Sequence, residues 1–170
     1  ETRRFGRHGT CYRGVVDMSG ISFVTRGKRI LVALDGSVPS KRALENALSL
    51  GRESGAKIYL IRVLGLHQEE GEPISKSGQK LLQELKKSLD QTKAEVEKQG
   101  MECETLVHIG PDIDQFIIQE AKDNHIDLIA MGTHGRSGLS GLLMGSVARK
   151  VLCRAPCPVM IIPPLLAQDG

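Results

Sequence analysis

Ile30-Leu31-Val32-Ala33-Leu34-Asp35-Gly36-Ser37 is the stretch on which the fold turns. Its first five residues are apolar without alternation, the pattern of a strand buried on both faces, as in a parallel sheet covered by helices. Asp35-Gly36 then breaks the run. Ser37 or Ser40 is placed to cap a helix whose apolar positions Ala43, Leu44, Ala47, Leu48 and Leu50 fall near the 3.6-residue period. A buried strand that ends in a polar turn and feeds an amphipathic helix is the opening of a β-α-β unit.

Working outward, the same alternation continues. Gly55 closes the first helix, and residues 57–63 (KIYLIRV) read as a second strand. A Gly/Glu-rich loop runs to Pro73, followed by a long helix to about Lys98 with Leu81, Leu82, Leu85, Leu89 and Val96 on one stripe and Gly100 as its stop. Residues 102–108 alternate polar and apolar side chains, which predicts a strand with one less-covered face near the sheet edge. Pro111 is expected in the first turn of a third helix that runs to about Asn124, with Asp112 and Asp114 favourable to its dipole. Residues 126–131 (IDLIAM) form a fourth strand, 132–143 a glycine-rich loop, 146–154 a short helix and 158–162 a fifth strand.

The expected fold class is therefore α/β, a single doubly wound five-stranded parallel sheet in the order 3-2-1-4-5 with helices on both faces. In that order the winding reverses between strands one and four, and ligands sit outside their carboxyl ends. Those ends are Asp35-Gly36-Ser37 and Met131-Gly132.

Composition bounds the function. With 40% hydrophobic and 25% charged residues in 170, the chain matches a soluble globular domain. No apolar run approaches the ~18 to 20 residues of a membrane span, so membrane insertion is excluded as an expectation. Aromatic residues make up 3% and Trp is absent, which leaves nothing for a base-stacking platform and disfavours nucleic acid as a partner. The net charge of +3 does not reverse this. Residues 1–29 carry seven basic and two acidic groups, +5, so residues 30–170 carry 3 − 5 = −2. Residues 1–27 are read as a leader outside the fold, disordered or artificial in origin, with Met18 a possible natural start, residues 28–163 as the domain, and 164–170 as a tail. Cys11, Cys103, Cys153 and Cys157 fit neither a redox motif nor a disulfide framework, which points to free thiols and a cytoplasmic location. His67, His108 and His125 have no metal-ligand spacing, and no metal site built from protein groups is expected.

The chemistry concentrates in residues 132–146 (GTHGRSGLSGLLMGS), with glycines at 132, 135, 138, 141 and 145. Glycine lets a ligand approach the backbone, and a loop ending at a helix N-terminus presents orphan amides and a positive dipole end to phosphate. Generic phosphate motifs do not match. A Walker A loop needs Lys after its last glycine, where Ser146 stands; the turn after strand one has no G-x-G-x-x-G; and both G-x-S-G runs are one residue short of a nucleophile elbow.

The spacing Gly132-x2-Gly135-x9-Gly145-Ser146 resembles that of the universal stress proteins, in their ATP-binding branch. The strand ending in Asp35, Val63 in strand two, the Met131-Gly132 pair and Pro156-Cys157-Pro158-Val159 resemble the same family. The resemblance covers about residues 28 to 163. It implies an ATP site lined by Ala33, Leu34, Asp35, Val63, Met131, Gly132, His134, Gly135, Gly145, Ser146 and Val147. Mg²⁺ would be held mainly through the phosphates. It also implies a homodimer through the last strand, Val159 to Ile162, whose edge is otherwise open. The expected activity is that of a nucleotide-dependent regulatory module, for a protein partner that the sequence does not name. The alternatives are a slow ATPase or nucleotidyl-transfer enzyme on the same fold, for which no general base is evident, and a stress-responsive dimer that binds no nucleotide.

Overall fold

A computed structural model describes residues 28–66, 74–133 and 144–164. The expectations for 1–27, for 165–170 and for the middle of the glycine loop lie outside them. Nine elements follow in chain order: β1 (Arg29–Ala33), α1 (Val38–Ser54), β2 (Lys57–Leu64), α2 (Lys76–Glu97), β3 (Cys103–Ile109), α3 (Ile113–Asp123), β4 (Leu128–Gly132), α4 (Ser146–Arg154) and β5 (Val159–Ile162). All strand pairs are parallel, in the order β3-β2-β1-β4-β5. The doubly wound sheet expected from the strand and helix pattern is the fold.

The unbroken apolar run of β1 has a direct cause. Ile30 and Val32 point to one face, where Ala43, Ala47 and Leu48 of α1 and Leu89 and Val96 of α2 cover them. Leu31 points to the other, against Ile117 and Ala121 of α3 and Ala148 and Val151 of α4. Leu31 and Val32 have no exposed surface, and each such burial stabilises the fold by about 1.5–3 kcal/mol. A polar side chain at either position would face a helix rather than water.

Several local expectations need correction. Pro111 is not in the first turn of α3: the helix begins at Ile113 with Asp112 as N-cap. The Ile113 amide donates to the Pro111 carbonyl at 3.1 Å, so the proline shapes the turn that precedes the helix. Asp112, at the N-cap, makes no side-chain cap bond, while Asp114 lies in the first turn, where a carboxylate favours the dipole as expected, and is buried there. Leu50 and Leu81 are exposed, because α1 and α2 each rest on the sheet along a narrower stripe than the apolar pattern implied. β3 and β4 start one and two residues later than read; just before β4, Asp127 is tied to the start of β1, its amide donating to the Arg29 carbonyl and its Oδ2 accepting the Arg29 amide, both at 2.9 Å. Gly55 closes α1 as expected, in the left-handed conformation (φ 65°) with its amide on the Gly51 carbonyl.

Candidate functional site

At the carboxyl end of β1 the chain folds into a polar knot. The Ser37 amide and hydroxyl both donate to Asp35 Oδ1, at 3.0 and 2.6 Å. Ser37 Oγ also accepts the Ser40 amide at 3.3 Å, which makes Ser37 the N-cap of α1, and Ser40 Oγ donates back to the Ser37 carbonyl at 2.9 Å. Burial pushes the Asp35 carboxyl up, but the hydrogen bonds from Ser37 and Ser40 outweigh it and leave the pKa below the ordinary carboxylate value. Asp35 is an anion at neutral pH, and so an acceptor only.

β4 ends beside this knot at Gly132. A Cβ there would lie 2.7 Å from Pro39 Cβ and 3.1 Å from the Ser40 nitrogen, so the glycine is required by close packing against the start of α1. From the next residue the glycine loop departs, and its two ends meet again: the Gly145 amide donates to the Thr133 carbonyl at 2.8 Å. Gly145 is then the N-cap of α4 and offers no side chain to its first turn. The amides of Ser146, Val147 and Ala148 are those that a helix cannot satisfy internally.

These ends enclose a cavity of about 450 Å³, within the ~300–1,000 Å³ usual for small-molecule sites. Ala33 lines it from the end of β1 with Leu34 and Asp35 just beyond, Val63 from β2, Met131 and Gly132 from β4, and Ser146 and Val147 from α4 with its N-cap Gly145. Every described residue among the eleven expected is thus on one wall or another. His134 and Gly135 lie outside the described residues. Asp35 is the only carboxylate among the described lining residues, and among the described residues no three His, Cys, Asp or Glu side chains converge on a metal.

The sequence model of the universal stress protein family matches residues 27–163. The chain belongs to the universal stress protein family. Universal stress protein MJ0531 of Methanocaldococcus jannaschii is 32% identical over 139 residues, covering 79% of this chain and 81% of the relative. Among solved structures, that of MJ0577 from the same organism superposes with a TM-score of 0.72 at 25% identity, over 84% of this chain and 100% of the other. A universal stress protein from Archaeoglobus fulgidus in complex with dAMP superposes with a TM-score of 0.61 at 25% identity, over 81% and 99%.

In this universal stress protein, several cavity residues escaped the reading of the sequence. Ile113 and Ile117 of α3 form a wall that no motif announces, although their four-residue spacing marks one helix face. Ile61, two residues before Val63 and so on the same side of β2, could have been inferred from strand periodicity. Arg62, Gly65, Ser40 and Thr133 also contribute. The register of β1 on β2 ends at Ala33 opposite Ile61, with the Leu34 amide on the Ile61 carbonyl at 2.9 Å. Val63 faces that same side two residues on, where β1 has already left the sheet.

A second cavity, about 610 Å³, opens at the amino ends of β1 and β2. Lys28, Arg29, Arg52 and Lys57 line it, beside Gly55 and Gly100 that follow α1 and α2. Here helices end instead of beginning, and the cations serve carbonyls and polar side chains: Arg29 Nη1 donates to the Asn124 carbonyl at 3.1 Å, Arg52 to Gln99, and Lys57 to Glu104.

Proposed function

We propose that the 450 Å³ cavity binds an adenine nucleotide, ATP with Mg²⁺ in the first instance, and that the protein acts as a nucleotide-dependent regulatory module. One observation carries the reading: the described residues that the family resemblance implied, from four separate segments, line a single cavity that includes the glycine-capped start of α4. Leu34, Val63 and Met131 offer an apolar face to the base. The main-chain amide and carbonyl of Val63, on the side that β1 has vacated, offer the donor and acceptor that an adenine edge needs. The amides of Ser146, Val147 and Ala148 and the positive end of α4 suit the phosphates. Asp35, held ionised by Ser37, would accept a ribose hydroxyl or a metal-bound water. A single carboxylate fits Mg²⁺, which keeps water and phosphate as its other ligands.

The dAMP complex of the Archaeoglobus fulgidus relative supports the same class of ligand. Bound nucleotide would bridge the two ends of the glycine loop, and the difference in its affinity between loop states would set the signal. β5 ends the sheet, and its half-buried residues Val159–Ile162 would pair two copies in a homodimer.

The test is calorimetric titration of the chain with Mg-ATP, beside Gly145→Val. Gly145 has φ −58° and ψ 152°, a conformation open to any residue, so the variant should fold. We expect micromolar binding in the parent, weakened at least about a hundredfold in the variant. A parent that binds no nucleotide overturns the proposal.

A further inference from the structure

The contact between α3 and α4 contains a buried carboxylate that nucleotide contacts do not use. Asp114, in the first turn of α3, is 3% exposed. Its two oxygens take different cations from α4: Lys150 Nζ donates to Oδ1 at 3.3 Å and Arg154 Nη1 to Oδ2 at 3.2 Å. Lys150 and Arg154 are four residues apart, one above the other on a single helix face. Two bonds to one carboxylate fix both the roll of α4 and its height along its axis. Lys150 and Arg154 are themselves exposed, and the buried residues of this nine-residue helix, Ala148 and Val151, are apolar. Apolar contact is non-directional and tolerates sliding, whereas charge-assisted hydrogen bonds have a set length and direction.

The placement connects the clamp to the site. Ile113 and Ile117, on either side of Asp114 in sequence, line the cavity together with the first turn of α4, against which α3 packs. At about 1.5 Å of rise per residue, Lys150 and Arg154 grip α4 roughly 6 and 12 Å from Ser146. Displacing that end by about 1 Å would take its amides out of the ~2.7–3.2 Å range of a hydrogen bond to phosphate.

We propose that Asp114 is a positioning residue for the nucleotide site: by holding Lys150 and Arg154 it aims the amides of Ser146, Val147 and Ala148 at the phosphates. The inference rests on the nucleotide reading above. It makes a claim opposite to simple electrostatics, because removing the charge of Asp114 would free two cations and draw a polyanion closer.

The experiment compares the parent with Asp114→Asn, which keeps the shape of the side chain, and with Lys150→Gln at an exposed position where folding is not at risk. Each is titrated calorimetrically with Mg-ATP and with adenosine, and ligand-free amide chemical shifts are recorded for residues 146–148 and, as a reference, for the first turn of α1. We expect Asp114→Asn to weaken Mg-ATP about tenfold and Lys150→Gln about threefold, with adenosine unchanged within about twofold. Shifts at 146–148 should move while those of α1 stay. Restoration by Asp114→Glu of part of the ATP affinity would add support. Unchanged or tighter Mg-ATP binding, equal losses for ATP and adenosine, or immobile shifts at 146–148 would overturn the assignment of Asp114. A parent that binds neither ligand would instead remove the nucleotide reading itself, and the positioning role with it.

Discussion

Helices α1 and α4 begin beside the same cavity and complete their first turns in opposite ways. α1 is closed by its own sequence: Ser37 caps it, Asp35 fixes Ser37, and Ser40 returns a bond to the Ser37 carbonyl. α4 starts at Gly145, which has nothing with which to cap. A capped N-terminus has one of its free donors satisfied by its own side chain, which contributes to stability. An uncapped one that faces a cavity keeps its donors and its dipole for something else. The amino end of the sheet supplies the control. Its cavity is larger, about 610 Å³, and richer in cations, yet helices end there, and Arg29, Arg52 and Lys57 are engaged with Asn124, Gln99 and Glu104. Volume and charge alone would favour that cavity; what sets the proposed site apart is that a helix begins there with an uncapped first turn.

The comparison can be broken most directly by making α4 resemble α1. Gly145→Ser places a hydroxyl where Ser37 stands in α1, within reach of the same first-turn amides. We expect thermal stability to rise by a few tenths of a kcal/mol while Mg-ATP affinity falls about tenfold; an unchanged affinity would mean that these amides do not serve the ligand.

The reverse change, Ser37→Ala, opens α1. Urea denaturation at pH 7 should show a loss of about 1 kcal/mol. Part of that loss depends on pH, with a definite sign. The folded pKa of Asp35 lies below its unfolded value, so its hydrogen bonds stabilise the protein fully above the unfolded value of about 3.9 and cease to do so as pH falls through the folded one. The difference between parent and Ser37→Ala should accordingly shrink in acid; a difference that grows in acid would contradict the anionic Asp35. The smallest effect is expected at the other end of the sheet. Arg52→Glu reverses a charge in the larger cavity and should leave Mg-ATP affinity within about twofold, since surface charges at that distance are largely screened.

How far the sequence could be read differs between the fold and the site. The order of strands and helices was legible because burial on both faces leaves an unbroken run such as residues 30–34, and a helix on a sheet leaves a 3.6-residue period. The proposed site was legible where the chain itself is unusual: at Asp35-Gly36-Ser37 and at Gly132 and Gly145, which line the cavity. It was not legible at Ile113 and Ile117, whose pattern is that of any core-facing helix. Gly132 shows both sides. The sequence marked it as a member of a phosphate motif, while the structure gives it a packing task, the contact with Pro39 and Ser40 that brings the two loops together.

By itself, then, the sequence determined the parallel sheet, the crossing point between β1 and β4 and the family to which the chain belongs, because these follow from local periodicity and from motif spacing along the chain. The tertiary structure alone decided that Ile113 and Ile117 of α3 join the lining of the cavity and that Asp114 joins Lys150 and Arg154, residues 36 and 40 positions away. Such pairings arise from how helices pack on the sheet, and packing depends on three-dimensional shape that a local pattern of apolar and polar residues does not encode.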